Sequence, residues 1–215
     1  MKFAKTLTAA VLAAGLAFSA QAADKMKVAM VVKTLGNGFF DAAHQGADEA
    51  AKQLGNMEII FTGPAKATAE GQIELINSLV AQKVDAIVIS ANDPDALVPA
   101  TKKAMARGIK VLSFDSGIAK DGRLFNLLPS SNALIGEKLI KMTVEAVGNT
   151  GEIAILSATA QATNQNAWIE EAKKVLTKPE YAGLKLVTVV YGDDQTDKSY
   201  REAQGVFKSY PNLKA

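Results

Sequence analysis

Short apolar runs alternate with longer amphipathic stretches along almost the whole chain. The runs are rich in β-branched residues and nearly continuous in apolar character, as expected for strands of a parallel sheet that is covered on both faces. We predict six strands, at 27–32, 57–63, 85–90, 109–114, 151–157 and 184–191. Between them apolar residues recur at helical spacing, for example Ile73, Ile76, Leu79 and Val80. This alternation predicts an α/β fold with doubly wound parallel sheets.

The alternation is interrupted once, between residues 117 and 136. Here a polar, glycine-rich loop leads into a short strand, then into the sequence PSSN and a new helix, and the βα alternation resumes at Gly151. We interpret this as a junction near Ser130 between two α/β lobes, at 23–129 and 130–215. The final sequence YPNLKA has the character of a turn that feeds another buried strand. We therefore expect a partial second lobe and a chain that is a fragment of a longer protein.

The first 22 residues have the three parts of a secretory signal peptide. Lys2 and Lys5 give a positive start, LTAAVLAAGLAF is an apolar core, and Ala20-Gln21-Ala22 is a small-x-small cleavage site. The apolar run is shorter than the roughly 20 residues that a membrane-spanning helix needs. An uncleaved anchor or a buried helix is the alternative. We predict that residues 1–22 are removed and that the mature chain is exported.

Charge and cysteine content exclude several classes of partner and site. Cleavage would remove two of the 24 basic residues and none of the 22 acidic ones, so the mature chain would be neutral. Neutrality argues against a nucleic acid or an anionic membrane as a partner, because both favour concentrated basic charge. The chain contains no cysteine, so disulfides and thiolate chemistry are excluded, and stability must come from a hydrophobic core.

The sequence KTLGNGFF, from Lys33 to Phe40, follows the first predicted strand and could be a phosphate-binding loop or a simple turn. A dinucleotide-binding fingerprint would need a small residue at position 41, where this chain has Asp41. An acidic side chain is unfavourable beside a pyrophosphate, and the chain contains no GxxxxGK[ST] loop. We therefore interpret the glycines as a strand-to-helix turn that presents side chains to a different kind of ligand.

In open α/β sheets ligands bind beyond the carboxyl ends of the strands. The residues at these positions combine carboxylates, amides and aromatic rings. They are Lys33, Asn37, Phe39, Phe40, Asn92, Asp93, Asp95, Asp115, Ser116, Thr163, Asn164, Gln165, Asn166 and Trp168. Such a set suits a neutral polyol, because the polar groups bond hydroxyls and the rings cover C–H faces.

Each member of this set also has a structural explanation. The aromatic residues are equally typical of a core, and Asp93 and Asp95 are typical helix caps. Lys33 could extend from the strand end to solvent. Both explanations remain open at this point.

Signals for catalysis or for a metal are weak. His44 is the single histidine and lies within a predicted helix, and the chain has no cysteine, so a His- or Cys-based metal cluster is not available. A serine triad would have to rely on His44, which no motif supports. No GxSxG motif is present. We predict a protein that is not an enzyme and that uses no cofactor or metal; an exported α/β hydrolase is the disfavoured alternative.

The motifs NGFF, SFDSG and PSSN, together with the predicted export signal, resemble the periplasmic sugar-binding proteins of ABC importers, in the ribose-type group. The similarity extends over residues 25–215. Within this group the stretches SANDPDAL, RGIKVLSFDS, NQNAWIEEAKK and SYPNLKA resemble in particular the rhamnose-binding proteins and the autoinducer-2 receptors. A DNA-binding repressor of the same core fold is excluded, since a signal peptide replaces its DNA-binding helices.

The resemblance implies a type I periplasmic binding protein, whose two lobes close around one ligand. It implies that Asn37, Phe39 and Phe40 flank the sugar and that Asp115 accepts its hydroxyls. Lys33 matches a lysine that contacts ligand in the autoinducer-2 receptors. Asn164 and Gln165 stand where those receptors carry an Asp-Gln pair, and the missing carboxylate favours a deoxyhexose such as rhamnose over autoinducer-2.

The same resemblance implies a periplasmic monomer that delivers its sugar to an ABC permease in the inner membrane, with uptake of autoinducer-2 as the alternative and a chemoreceptor as a further partner. Chains of this family continue beyond the length of this one. We therefore expect the first lobe to lack its returning C-terminal elements, and the chain by itself to bind ligand weakly and to be poorly stable.

Overall fold

The computed structural model describes residues 25–215, which form two parallel sheets flanked by helices. The predicted signal peptide at 1–22 lies outside the described residues. No helix among residues 25–215 is long and apolar enough to cross a membrane.

The first unit is a five-stranded sheet with three helices. Its strands are β1 (Met26–Val31), β2 (Met57–Thr62), β3 (Ala86–Ile89), β4 (Lys110–Phe114) and β5 (Asn126–Leu127). They pair in parallel in the order β2-β1-β3-β4-β5. The helices are α1 (Gly38–Leu54), α2 (Ala69–Ala81) and α3 (Val98–Ala106).

Both faces of this sheet are covered, which explains the continuous apolar character of its strands. Ala29 and Val31 of β1 pack with residues of α2 and α3, whereas Met30 and Val32 pack with Phe40 of α1. Because successive side chains of a strand point to opposite faces, α1 lies on one side of the sheet, and α2 and α3 lie on the other. The doubly wound arrangement is therefore confirmed.

The second unit is built on two parallel strands. It comprises α4 (Asn132–Val147), β6 (Thr150–Ser157), α5 (Thr163–Leu176), β7 (Gly183–Tyr191) and α6 (Thr196–Ser209). Ser131 caps α4 by accepting a hydrogen bond from the Leu134 amide at 3.4 Å. Ile140 of α4 and Ala172 of α5 pack with Ile153 and Leu184 of the sheet.

The last residues of the chain lie along the free edge of β6. Leu213 forms a parallel bridge with Glu152, and the Ala154 amide donates to the Ala215 carbonyl at 2.8 Å. The sequence YPNLKA therefore does lead into strand pairing, as predicted.

All six predicted strands are present with ends within one residue of the prediction, and the α/β class is confirmed. The short strand of the interrupted region is β5, and it follows a 3₁₀ turn at Lys120–Gly122. The lobe boundaries at 23–129 and 130–215 remain a prediction.

Candidate functional site

The seven residues predicted to bind ligand line one cavity of about 230 Å³ at the carboxyl ends of the strands. This volume lies below the range of about 300–1,000 Å³ that is typical of pockets for drug-sized ligands, so the cavity suits a small one. The lining consists of Lys33, Asn37, Phe39, Phe40, Asp115, Asn164 and Gln165, together with Trp168 and Asp194.

The KTLGNGFF segment is a strand-to-helix turn. Gly36 has a φ of 79°, a left-handed conformation that glycine adopts without strain. Asn37 caps α1, because its Oδ1 accepts a hydrogen bond from the Phe39 amide at 3.0 Å. The cap fixes the direction in which α1 begins and so places both phenylalanines at the cavity.

The two phenylalanines have different surroundings. Phe40 is 3% exposed and meets Phe114 of β4 edge to face, with ring centroids 6.3 Å apart. Phe39 is 50% exposed and meets Phe40 edge to face at 5.2 Å. The core explanation therefore applies to Phe40, whereas packing does not account for Phe39.

Asp115 is a buried carboxylate of the cavity with a hydrogen-bond partner on each oxygen. It is 5% exposed and has a φ of 57°, which turns the chain at the end of β4. Its Oδ2 accepts from Ser90 Oγ at 2.8 Å, and its Oδ1 accepts from Asn164 Nδ2 at 2.6 Å. A buried carboxylate held in this way is a fixed acceptor at the cavity wall.

Lys33 is buried rather than extended to solvent, so the alternative of an outward-pointing side chain is wrong. It is 2% exposed, and its Nζ donates to Asn164 Oδ1 at 3.3 Å. Burial lowers the pKa of Lys33, because it disfavours the charged ammonium, while the nearby charges of Asp115 and Asp194 oppose this effect.

Two residues at the start of α5, Thr163 and Asn164, connect the second unit to the first. Asn164 bonds both Lys33 and Asp115. Thr163 Oγ1 lies 3.0 Å from Ser116 Oγ and accepts from the Gly117 amide at 3.0 Å. Gln165 remains in the second unit, where Ser157 Oγ donates to its Oε1 at 3.3 Å.

Other residues of the predicted polar set support the site without lining this cavity. Asn92 Nδ2 donates to the Lys33 carbonyl at 2.9 Å and to the Thr68 carbonyl at 3.1 Å. Asp93 Oδ1 accepts from the amides of Asp95 and Ala96 in the turn that precedes α3. Because α3 begins at Val98 without a side-chain cap, the explanation of Asp93 and Asp95 as helix caps is wrong. No group of three potential metal ligands occurs within residues 25–215.

Two residues of the site were not predicted from the sequence. Asp194 follows β7, so the rule that ligands bind beyond strand ends could have identified it. Gln72 is fully buried in α2 and bonds to the Val32 and Ser90 carbonyls and the Asn92 amide, at 3.1, 2.8 and 2.8 Å. It joins the ends of β1 and β3, and no sequence motif marks it.

The arrangement is suited to binding rather than to chemistry at the ligand. It offers carboxylate, amide and ammonium groups beside aromatic surface, which is the combination that polyols require. His44, the single histidine of the chain, lies away from the cavity, where its ring stacks on Phe61 with centroids 4.2 Å apart.

Two solved structures with this fold each contain a small bound ligand. A solute-binding protein of an ABC transporter from Clostridium phytofermentas, with bound L-rhamnose, is 35% identical and superposes with a TM-score of 0.84 over 87% of this chain and 58% of that one. LsrB from Clostridium saccharobutylicum in complex with AI-2 is 23% identical, with a TM-score of 0.81 over 86% of this chain and 60% of that one, and shows the fold alone.

This chain is also similar in sequence to a curated protein. The D-ribose/D-allose-binding protein of Pseudomonas aeruginosa is 29% identical over 210 residues, which cover 93% of this chain and 64% of the relative. This chain therefore spans slightly less than two thirds of that protein's length. A family model described as "Periplasmic binding protein domain" matches residues 28–215. This match extends over both sheets, and the chain therefore belongs to the periplasmic binding protein family.

Proposed function

We propose that this protein is the solute-binding component of a sugar ABC importer, which captures a monosaccharide between its two units and delivers it to a membrane permease. The observation that carries this proposal is the shared cavity of Lys33, Asn37, Phe39, Phe40, Asp115, Asn164 and Gln165. The binding of D-ribose, D-allose and L-rhamnose by similar proteins supports it.

Within the cavity, the proposed roles follow from position and chemistry. The fixed carboxylate of Asp115 accepts hydrogen bonds from sugar hydroxyls, and Gln165 and Asn37 add amide groups. The half-exposed ring of Phe39 covers a C–H face of the sugar. Asn164 contacts the ligand from the second unit, so closure and binding are coupled through it.

A rhamnose-like deoxyhexose is the favoured ligand. The similar protein of Clostridium phytofermentas has L-rhamnose bound and is 35% identical to this chain. The apolar methyl group of a deoxyhexose also matches an aromatic wall better than a further hydroxyl does.

Autoinducer-2 is the second candidate ligand, and Lys33 is the observation that favours it. The resemblance places a ligand-contacting lysine at this position in autoinducer-2 receptors, and Lys33 Nζ lies at the cavity. Asn164 weighs against this candidate, because those receptors carry an aspartate there.

Isothermal calorimetry on the full-length protein tests the proposal, with L-rhamnose, D-ribose, D-allose and autoinducer-2 as ligands. We expect micromolar or tighter affinity for L-rhamnose and weaker binding of autoinducer-2. Tighter binding of autoinducer-2 would reverse the order of the two candidates. Binding of none of these ligands, or turnover of a glycoside panel, would contradict the assignment as a sugar-binding protein.

The location and partners are part of the same proposal. We expect residues 1–22 to be cleaved, the mature protein to be a periplasmic monomer, and an ABC permease to be its partner, with a chemoreceptor as a further one. N-terminal sequencing of the exported protein would locate the cleavage site. Reconstituted permease should hydrolyse ATP faster when the sugar-loaded protein is added.

A further inference from the structure

We propose that Asp194 makes this cavity selective against anionic sugars, so that it accepts neutral monosaccharides and rejects uronic acids and sugar phosphates. This inference rests on the proposed function, because it concerns the ligand class of the same cavity. It adds a discriminating residue that the sequence did not reveal.

The carboxylate of Asp194 belongs to the wall of the cavity. Asp194 follows β7, has a φ of 56° and lines the cavity. Within residues 25–215 its side chain accepts no hydrogen bond, whereas the neighbouring Asp193 accepts one from Lys198 Nζ at 2.5 Å. Asp194 therefore lines the cavity with a carboxylate that is not engaged by a neighbouring side chain or amide of the described residues.

The cavity has more acidic than basic side chains. Its nine lining residues include one cation, Lys33, and two anions, Asp115 and Asp194. Lys33 is buried and interacts with both carboxylates. Burial raises the pKa of Asp194, and the positive charge of Lys33 opposes this effect. With all three groups ionised, the two carboxylates outnumber the one ammonium and the net charge of the cavity is −1.

The charge of Asp194 affects neutral and anionic ligands differently. A neutral sugar can donate hydroxyl hydrogen bonds to the free oxygens of Asp194. An anionic sugar brings a second uncompensated negative charge into a partly buried site, where effective dielectric screening is weaker than in water. We expect Asp194 to lower the affinity for a singly charged sugar about tenfold or more relative to a neutral one.

The test compares two ligands that differ only at C6, L-rhamnose with its methyl group and L-mannuronate with a carboxylate. Calorimetry at neutral pH would be done on the full-length protein and on its Asp194→Asn variant. Asparagine tolerates the left-handed conformation of this position, so the loop should keep its geometry. We expect the ratio of L-mannuronate to L-rhamnose affinity to rise about tenfold in the variant.

Asp193→Asn is the matched control, since it removes the same charge one residue earlier, from a carboxylate that does not line the cavity. We expect its affinity ratio to equal that of the unsubstituted protein. An unchanged ratio in Asp194→Asn, or an equal rise in both variants, would overturn the inference. If the unsubstituted protein did not bind L-rhamnose, that result would contradict L-rhamnose as the favoured ligand.

Discussion

Asn164 donates its Nδ2 amide to Asp115 Oδ1 at 2.6 Å, and this bond joins the start of α5 in the second unit to the end of β4 in the first. The Oδ1 atom of the same amide accepts from Lys33 Nζ at 3.3 Å. An amide can donate on one side and accept on the other, whereas an ionised carboxylate can only accept. The bridge between the aspartate and the lysine therefore needs a group that both donates and accepts, which the amide of Asn164 supplies and an ionised aspartate would not.

The substitution Asn164→Asp tests this requirement. It removes the donor to Asp115 and places two carboxylates in contact, so we expect the free energy of unfolding to fall by about 2 kcal/mol. The repulsion should also separate the two units. Urea unfolding would measure the first effect, and small-angle X-ray scattering would measure the second as a larger radius of gyration.

Asn166→Asp provides the control for this change, because it adds the same charge two residues later, where Asn166 Nδ2 bonds the exposed Ala160 carbonyl at 2.8 Å. Equal stability and equal radius of gyration in the two variants would show that the bridge does not hold the units together.

The Asp115→Asn variant should lose L-rhamnose affinity. Asparagine tolerates the left-handed φ of this residue but has one oxygen acceptor in place of two, so it cannot accept from Ser90 and Asn164 on separate oxygens and also accept from a sugar hydroxyl as the carboxylate does. Truncating a buried, hydrogen-bonded charge typically costs 2–5 kcal/mol, so we expect a loss of about 100-fold.

Calorimetry would measure the affinity of Asp115→Asn, and Asp121→Asn would serve as its control. Asp121 pairs with Lys102 on the surface, away from the cavity. Unchanged L-rhamnose affinity in Asp115→Asn would show that Asp115 does not bind the sugar.

The sequence predicted the strands well because their apolar runs reflect burial on both faces, a property of the local sequence. It also identified the cavity residues that directly follow strands or begin helices, such as Lys33 and Asp115. It did not predict the roles of Gln72 and Asn164 as bridges, because those roles depend on which carbonyls and side chains the packed helices meet. Tertiary contacts of this kind leave no periodic or motif signal.

Phe39 and Phe40 should respond differently to truncation. Phe40→Ala removes a buried ring, so we expect the free energy of unfolding to fall by about 3–5 kcal/mol. Phe39→Ala removes a half-exposed ring and should change stability far less, while it weakens L-rhamnose binding about tenfold through lost contact with the sugar. The two variants are each other's controls, in thermal unfolding and in calorimetry. Unaltered L-rhamnose binding by Phe39→Ala would show that the Phe39 ring does not contribute to sugar binding.

Burial of Lys33 should appear as a pH dependence of stability. Because its pKa is lowered in the folded protein, the unfolded chain binds more protons between the folded pKa and the ordinary value of 10.5. The free energy of unfolding contributed by Lys33 therefore rises with pH across this interval and is constant above it. Lys33→Met keeps an unbranched apolar chain and removes the titration, so its stability should lack this rise.

Urea unfolding at a series of pH values from neutral to 10.5 would measure this difference, with Lys66→Met, which removes an exposed lysine, as the matched control. The stability of the unsubstituted protein minus that of Lys33→Met should increase as the pH rises. A difference that stays constant with pH would mean that Lys33 titrates alike in the folded and unfolded states, and that burial does not disfavour its charge. In a protein that keeps Lys33, Asp194→Asn removes one of the two carboxylates that raise the pKa of Lys33. We therefore expect the pH interval over which stability rises to extend to lower pH in the Asp194→Asn variant.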